Sequence, residues 1–282
     1  MKKIFYLLIF LTITVSDVIA EESDLPKGPL GKPDLNGVWQ VLNTANFNLE
    51  AHAASASLAM VEGPIVPIPH PSTVLFGAVG SVPAGLGVVE GGTIPYKKKA
   101  LKKRDENKKN WLDRDPEIKC YLPGVPRANY MHLPFQIFHS EKAIFFAYEY
   151  AGAVRNIYLE DPGPAPVDSW MGQSWGYWEG NTLVIEVSGF NDQTWFDRSG
   201  NFHSEQLKVT ERYTLKNQHI MHYEAIIEDD KIFTRPWKIS MNLYKRVGKD
   251  AQLQQFKCVE FVEELIYGKS VSYTHLTLPT KA

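Results

Sequence analysis

The chain has 282 residues and a formal net charge of -2, and 44% of its residues are hydrophobic, 22% charged and 12% aromatic. A nearly neutral chain has no electrostatic attraction to nucleic acid or to an anionic membrane surface, so we expect neither as a partner. The aromatic content favours β-structure with a ligand-contacting interior over a helical bundle.

The N-terminus has the pattern of a secretory signal peptide over residues 1–20. Two lysines are followed by an apolar stretch at 4–15, which is too short to span a bilayer, and small residues precede a cleavage point after Ala20. We therefore expect a periplasmic or secreted protein with a Pro-, Gly- and Lys-rich leader at 21–33. No later stretch is long and apolar enough to predict a membrane span.

After a first predicted strand in PDLNGVWQV, the next part of the chain lacks β alternation. Residues 49–60 are compatible with a short helix, and residues 63–92 are rich in proline and glycine, which predicts irregular structure. Residues 96–112 are strongly charged and predict a solvated helix. We interpret 44–118 as an irregular and helical insertion in a single domain that spans 34–270.

From Pro134 onward the sequence has a β pattern. Short runs rich in aromatic and β-branched residues are separated by turn signals: FQIFHS, AIFFAYEY, VRNIYLE, SWGYWEG, TLVIEVSG, LKVTERYTL, HIMHYEAIIE and FTRPWKISMNLY. Strands at this spacing predict an antiparallel sandwich or a closed barrel. The predicted fold class is mainly β: an antiparallel, lipocalin-like β-barrel with an irregular N-terminal region and one or two short helices.

Period-two alternation places charged side chains on otherwise apolar strand faces. Glu211 and Arg235 each share a face with apolar residues, and a hairpin turn would bring Glu149 opposite Arg155. An unpaired buried charge costs on the order of several kcal/mol, so we expect either ion pairs or the polar floor of a ligand pocket. The pairs expected are Glu149 with Arg155 and Glu211 with Arg235. The predicted aromatic interior contains Phe145, Trp178, Tyr213, Tyr223 and Trp237.

The polar loop at 191–206 carries Asp192, Asp197 and His203. His203 titrates near neutrality, either aspartate could orient it, and Glu211 follows on the next strand, which together predict an acid–base site. The alternative is structural: Trp195 closes one end of the barrel, the aspartates cap backbone N–H groups, and the imidazole is satisfied locally. The loop lacks some of the ligand residues that a calcium or a zinc site needs at fixed spacings, so we predict no metal and no cofactor.

The two cysteines, Cys120 and Cys258, both lie in the part of the chain that we expect to be exported, where disulfides form. Neither belongs to a C-x-x-C pair, which disfavours a metal site. We therefore expect a disulfide between them, with two free thiols as the alternative.

The last residues, VSYTHLTLPTKA at 271–282, differ in character from the segment before them. They look like translated sequencing-adapter read-through, and we exclude them from the predicted fold and from every candidate site.

Several longer motifs give the chain a family resemblance. They are PGVPR, W-E-G-x-T-L-V, F-N-D-x-T-W-x-D-x-x-G and H-S-x-x-L-x-V-x-E-R, at 123–127, 178–184, 190–200 and 203–212. Over 33–268 the chain resembles a large family of uncharacterised exported bacterial proteins, a resemblance that implies export but no established activity. Gly37 and Trp39 also resemble the lipocalin G-x-W motif, in agreement with an antiparallel barrel.

Binding of a small apolar or aromatic ligand is the leading interpretation. The ligand-binding candidates are Glu149, Arg155, Trp170, Trp178, Trp195, Tyr213, Tyr223, Arg235 and Trp237. The second interpretation is a periplasmic isomerase, hydratase, cyclase or hydrolase that uses His203, Glu211, Asp192 and Asp197. A structural envelope protein is the third. The sequence does not indicate an oligomeric state.

Overall fold

A computed structural model describes residues 25–55, 59–61, 73–75, 82–256 and 258. The predicted signal peptide, the first residues of the predicted leader and the final segment 271–282 lie outside the described residues.

The described residues form strands, helices and short 3-10 turns. The strands are β1 (Gly37–Val41), β2 (Ala59–Val61), β3 (Thr73–Leu75), β4 (Phe135–His139), β5 (Ile144–Tyr148), β6 (Val154–Tyr158), β7 (Gln173–Glu179), β8 (Thr182–Ser188), β9 (Lys208–Asn217), β10 (Ile220–Glu228) and β11 (Trp237–Lys245). The helices are α1 (Lys98–Lys109) and α2 (Trp111–Arg114), and 3-10 turns occupy Pro29–Gly31, Arg127–Tyr130 and Tyr150–Gly152. Each run that was predicted as a strand contains one.

Nine strands close into a barrel in the order β1-β11-β10-β9-β8-β7-β6-β5-β4, and β4 pairs back onto β1. This confirms the predicted mainly-β, lipocalin-like barrel. Neighbouring strands are antiparallel except β6 and β7, which run parallel. The connection at 159–172 is long enough for the crossover that a parallel pair needs. The barrel wall is therefore antiparallel except at this pair, which we call the β6–β7 seam.

Strand alternation sets which side chains enter the barrel. In β9 the odd-numbered residues from Val209 to Leu215 are buried, so the predicted inward position of Glu211 is correct. In β5 the predicted face was wrong: Phe145 is 42% exposed, whereas Ile144 and Phe146 are buried. The run AIFFAYEY has apolar residues at both parities, so its pattern alone cannot choose between the faces.

The barrel interior is filled largely by aromatic side chains. Six of the largest fully buried side chains are Trp39, Tyr130, Phe135, Phe146, Tyr213 and Tyr223. The Trp39 indole of the G-x-W segment donates to the Leu35 carbonyl oxygen at 2.9 Å, and the Lys245 ammonium lies 5.5 Å from its ring centroid. The Lys245 contact joins the first barrel strand to the last, and the Leu35 hydrogen bond fixes the indole against the segment before β1.

The charged helix was predicted correctly, although it is shorter than expected and is followed by α2. The helix considered for residues 49–60 was wrong. Hydrogen bonds from the His52 and Ser55 amides to the Gly85 and Val82 carbonyls hold the first part in extended pairing, and β2 pairs with β3. Backbone pairing with a distant segment has overridden the local helix propensity of the alanines.

Cys120 and Cys258 form the predicted disulfide, with their Cα atoms 5.6 Å apart. It links the turn after α2 to the segment that follows β11. Among the described residues, no helix combines the length and the apolar character needed to cross a membrane.

Candidate functional site

A buried carboxylate lies at the centre of a polar cluster inside the barrel. Strand β9 directs Glu211 and Tyr213 to the same inner face, and Tyr223 of β10 is the register partner of Tyr213. Glu211 Oε1 accepts hydrogen bonds from the Tyr213 hydroxyl at 2.9 Å, the Tyr223 hydroxyl at 2.8 Å and Asn129 Nδ2 at 2.6 Å. Three donors therefore converge on one carboxylate oxygen.

Arg155 of β6 supplies the positive charge of this cluster. Its Nη2 donates to Glu211 Oε2, and its Nε donates to Ser174 Oγ of β7 at 2.7 Å. Its Nη1 is buried and has no hydrogen-bond partner among the described residues. A buried donor without a partner loses its hydration without compensation, so this nitrogen is the unsatisfied position of the network.

The cluster extends from the barrel strands to the 3-10 turn at Arg127–Tyr130. Asn129 of this turn accepts a hydrogen bond from the Tyr148 hydroxyl at 2.9 Å through Oδ1. Sequence reasoning missed Asn129, Tyr148 and Ser174. Tyr148 follows from the correct face of β5, but Asn129 lies outside any strand and Ser174 is a small residue in an aromatic run, so no periodic signal marks them.

The protonation states of the cluster follow from burial and charge. Burial raises the pKa of Tyr213 and of Tyr223 well above the ordinary range, and the nearby Glu211 carboxylate raises both further. Burial alone would lower the pKa of Arg155, but Glu211, Tyr148 and Tyr213 together outweigh burial and raise that pKa. At neutral pH both tyrosines are therefore neutral donors and Arg155 is charged.

The seam between β6 and β7 opens into a surface cleft of about 220 Å³. The two strands share only the register pairs Ile157–Ser174 and Tyr158–Trp175. Residues that line the cleft include Arg155, Ser174, Val154, Val167, Met171 and Gln173. The hydrogen-bonded pair of Arg155 and Ser174 thus belongs both to the buried cluster and to the wall of this cleft.

In the loop at 191–206, Asp197 is a backbone cap. Its Oδ1 accepts from the Ser199 and Asn201 amides at 2.9 and 3.3 Å, and its Oδ2 accepts from the Leu49 amide at 2.9 Å. Asn201 Nδ2 adds a bond at 2.6 Å to the same oxygen. Asp197 therefore closes its own loop and ties it to the segment before Glu50.

His203 also has local partners for both ring nitrogens. Nδ1 lies 2.8 Å from the Ser204 carbonyl oxygen, which can only accept, so Nδ1 carries the proton and Nε2 accepts from the Thr194 hydroxyl at 2.5 Å. Burial lowers the pKa of His203. The imidazole is thus neutral at pH 7, and its hydrogen bonds go to neither aspartate nor to Glu211, while Asp192 is exposed.

Both expected ion pairs were wrong. Arg155 pairs with Glu211 across the barrel, and Glu149 instead accepts the Gln254 amide at 2.7 Å. Arg235 is exposed because it precedes β11 and its strand alternation has not begun there; it bonds the Pro236 carbonyl oxygen.

The aromatic candidates take different positions. Trp195 and Trp237 are buried, the latter against Phe196 at 5.6 Å. Trp170 is half-buried beside Tyr121 at 5.0 Å, and Trp178 is half-buried beside His139. None of these four indoles hydrogen-bonds to the Arg155–Glu211 cluster among the described residues.

A second charged cluster explains the arginine of the PGVPR motif. Arg127 binds both oxygens of Asp115 at 2.8 and 3.0 Å, and its Nη2 also donates to Glu117 Oε2 at 2.6 Å. Arg198 donates to the same Glu117 oxygen at 2.8 Å. These residues join the turn before Cys120, the 3-10 turn and the 191–206 loop.

Within the described ranges, no group of three or more His, Cys, Asp or Glu side chains is arranged to hold a metal ion. No family model, no curated protein and no solved structure matches this chain.

Proposed function

We propose that this protein is exported and binds a small molecule with an apolar or aromatic body at the β6–β7 cleft. The observation that carries the proposal is the position of the cleft: its wall contains Arg155, a buried arginine with an unsatisfied Nη1. Ligand sites typically combine apolar walls with a few well-placed polar groups, and Val154, Val167 and Met171 supply the apolar part here.

We place the ligand at the wall and not on the barrel axis, because aromatic side chains occupy the interior. The parallel seam favours this location, since its two register pairs make it the least tightly joined part of the wall. Export rests on the predicted signal peptide and agrees with the disulfide, which forms in oxidising compartments.

Native mass spectrometry of the purified protein, beside a denatured sample, tests the proposal. We expect a small molecule that is retained natively and lost on denaturation, and an N-terminus at Glu21. Val167→Trp should abolish retention, because Val167 is a 73% exposed residue of the cleft that tolerates a large side chain. Val247→Trp is the matched control, since Val247 is 74% exposed and lies outside the cleft. Retention that survives Val167→Trp would contradict this location.

Acid–base catalysis is the second candidate, because the Glu211 carboxylate accepts hydrogen bonds from two tyrosine hydroxyls, at 2.9 and 2.8 Å. Tyr223→Phe removes one hydroxyl with little change in volume. If the cluster is catalytic, this substitution should reduce turnover in a substrate screen, whereas His203→Gln at the locally satisfied imidazole should not. If His203→Gln reduces turnover and Tyr223→Phe does not, the catalytic residues lie in the 191–206 loop and not in the Glu211 cluster.

A further inference from the structure

Arg155 has a specific unused donor capacity. A guanidinium has five N–H bonds, and Arg155 uses Nε for Ser174 and Nη2 for Glu211. The two N–H bonds of Nη1 have no acceptor among the described residues, although Arg155 is only 2% exposed. An acceptor that entered from the adjoining cleft would supply the partner that this charged donor lacks.

The charge of this donor is already neutralised. Arg155 carries one positive charge and Glu211 one negative charge, and the other side chains that interact with them are uncharged at neutral pH: Asn129, Tyr148, Ser174, Tyr213 and Tyr223. An anionic guest would therefore bring a second negative charge to a buried site that has one positive charge. An unbalanced buried charge is strongly disfavoured.

A guest without any acceptor is disfavoured for a different reason. It would leave the N–H bonds of Nη1, which are already shielded from solvent, unpaired, and so it would forfeit the gain of a hydrogen bond to a charged donor. An uncharged acceptor satisfies Nη1 and preserves the charge balance of Arg155 and Glu211.

We infer that the ligand is a neutral molecule with an apolar body and a carbonyl-type acceptor, as in a ketone, ester or amide, and that this acceptor binds Arg155 Nη1. The inference rests on the proposed function and specifies its ligand class. Nη1 is shielded from solvent in this structure, so the inference requires the β6–β7 seam to open far enough for the acceptor to reach it.

Three probes of similar shape separate the alternatives: ethylbenzene has no acceptor, acetophenone has a neutral acceptor, and benzoate is an anion. Their dissociation constants for the full chain are measured by isothermal titration calorimetry at pH 7. We expect acetophenone to bind roughly tenfold or more tightly than ethylbenzene, the effect of one hydrogen bond to a charged donor. Benzoate should bind more weakly than acetophenone.

Two variants identify the site and the donor. Val167→Trp should abolish binding of acetophenone, whereas Val247→Trp should leave it unchanged. The double variant Arg155→Met with Glu211→Gln removes both charges together, and circular dichroism checks its fold. In this variant the preference for acetophenone over ethylbenzene should fall to within about twofold, because the donor is gone.

The outcomes separate the inference from the proposed function. Equal affinities for ethylbenzene and acetophenone, both abolished by Val167→Trp, would overturn the inference and leave the proposed function standing. Tightest binding of benzoate would do the same. If no probe binds and the native protein retains no molecule, the proposed function fails, and the inference fails with it.

Discussion

At the scale of single residues, the main feature is a charge pair formed between groups far apart in sequence. Arg155 and Glu211 are 56 residues apart and both are almost fully buried. Such a pair contributes little net stability over an apolar pair, but removal of one partner leaves an uncompensated charge in the interior. The pair therefore constrains any substitution at either position.

Arg155→Met should lower the free energy of unfolding by about 3–5 kcal/mol, because Glu211 would remain buried without its cation. Adding Glu211→Gln should restore a large part of that loss. Urea unfolding of the single and double variants measures both effects. Arg235→Met is the control and should cost little, since Arg235 is exposed and does not contact Glu211. A stable Arg155→Met variant would contradict the importance of the pair.

Glu117 makes a pH-dependent contribution. Burial alone would raise the pKa of Glu117, but Arg127 and Arg198 outweigh it and lower the pKa to about 2, from 4.5 for an unperturbed glutamate. The ionised carboxylate thus stabilises the fold above pH 4.5, and this contribution is lost as the pH falls through about 2.

We expect the wild-type protein to lose up to about 3 kcal/mol more stability between pH 4.5 and 2 than Glu117→Gln, because the variant has no carboxylate to protonate at this position. Unfolding free energies measured across this range provide the comparison. Glu160→Gln, at an exposed position, should show the wild-type slope. Parallel slopes for the wild type and Glu117→Gln would show that the arginines do not hold the carboxylate ionised.

At the scale of elements, helix α1 packs closely on the 191–206 loop. Gly200 has φ of +82°, and a Cβ atom added there would lie 2.5 Å from the Lys108 amide nitrogen and 2.7 Å from the Arg104 carbonyl oxygen. Because these are helix backbone atoms, a flexible side chain cannot relieve the overlap. The glycine of the F-N-D-x-T-W-x-D-x-x-G motif therefore permits the helix to approach the loop.

Gly200→Ala should destabilise the protein by roughly 2–4 kcal/mol, since it combines left-handed backbone strain with overlap against the helix. Gly180→Ala is the matched control: its φ is +57°, but a Cβ there has no neighbour within 4 Å, so only the strain of about 1 kcal/mol applies. Thermal unfolding of the two variants measures the difference. Equal losses of stability in the two variants would mean that α1 moves away from residue 200 at no cost in free energy.

At the scale of the whole molecule, the disulfide joins two cysteines separated by 138 residues and so encloses most of the barrel strands in one covalent loop. Gln254 in the segment after β11 also bonds Glu149, and Phe256 lies 5.6 Å from the ring of Tyr150. The end of the described chain is thus held against the β5–β6 turn by covalent and non-covalent contacts.

Reduction of the disulfide should lower stability by up to about 5 kcal/mol, the chain-entropy limit for a loop of this length. Unfolding with and without reductant gives the value, and a mass two hydrogens below that of the reduced chain checks the bridge. A Cys120→Ser/Cys258→Ser variant should match the reduced protein and be insensitive to reductant. If this variant is as stable as the oxidised wild type, the non-covalent contacts of Gln254 and Phe256 are sufficient to hold the segment after β11 in place.

The sequence alone determined the positions of the nine barrel strands, the mainly-β class and the charged helix, and it predicted the disulfide; it did not predict β2 and β3. Strand periodicity and turn residues are local signals, and a chain with two cysteines has one way to pair them. The inward direction of Glu211 also followed from alternation, because its strand has apolar residues at one parity.

Only the tertiary structure decided which charges meet and where the wall opens. Arg155 binds Glu211, not Glu149, because barrel closure brings β6 across from β9, and Asn129 and Ser174 join them from segments with no periodic signal. The parallel β6–β7 seam likewise depends on the path of the connecting segment. Local patterns specify the direction of a side chain, whereas its partner is set by the order in which distant strands close the barrel.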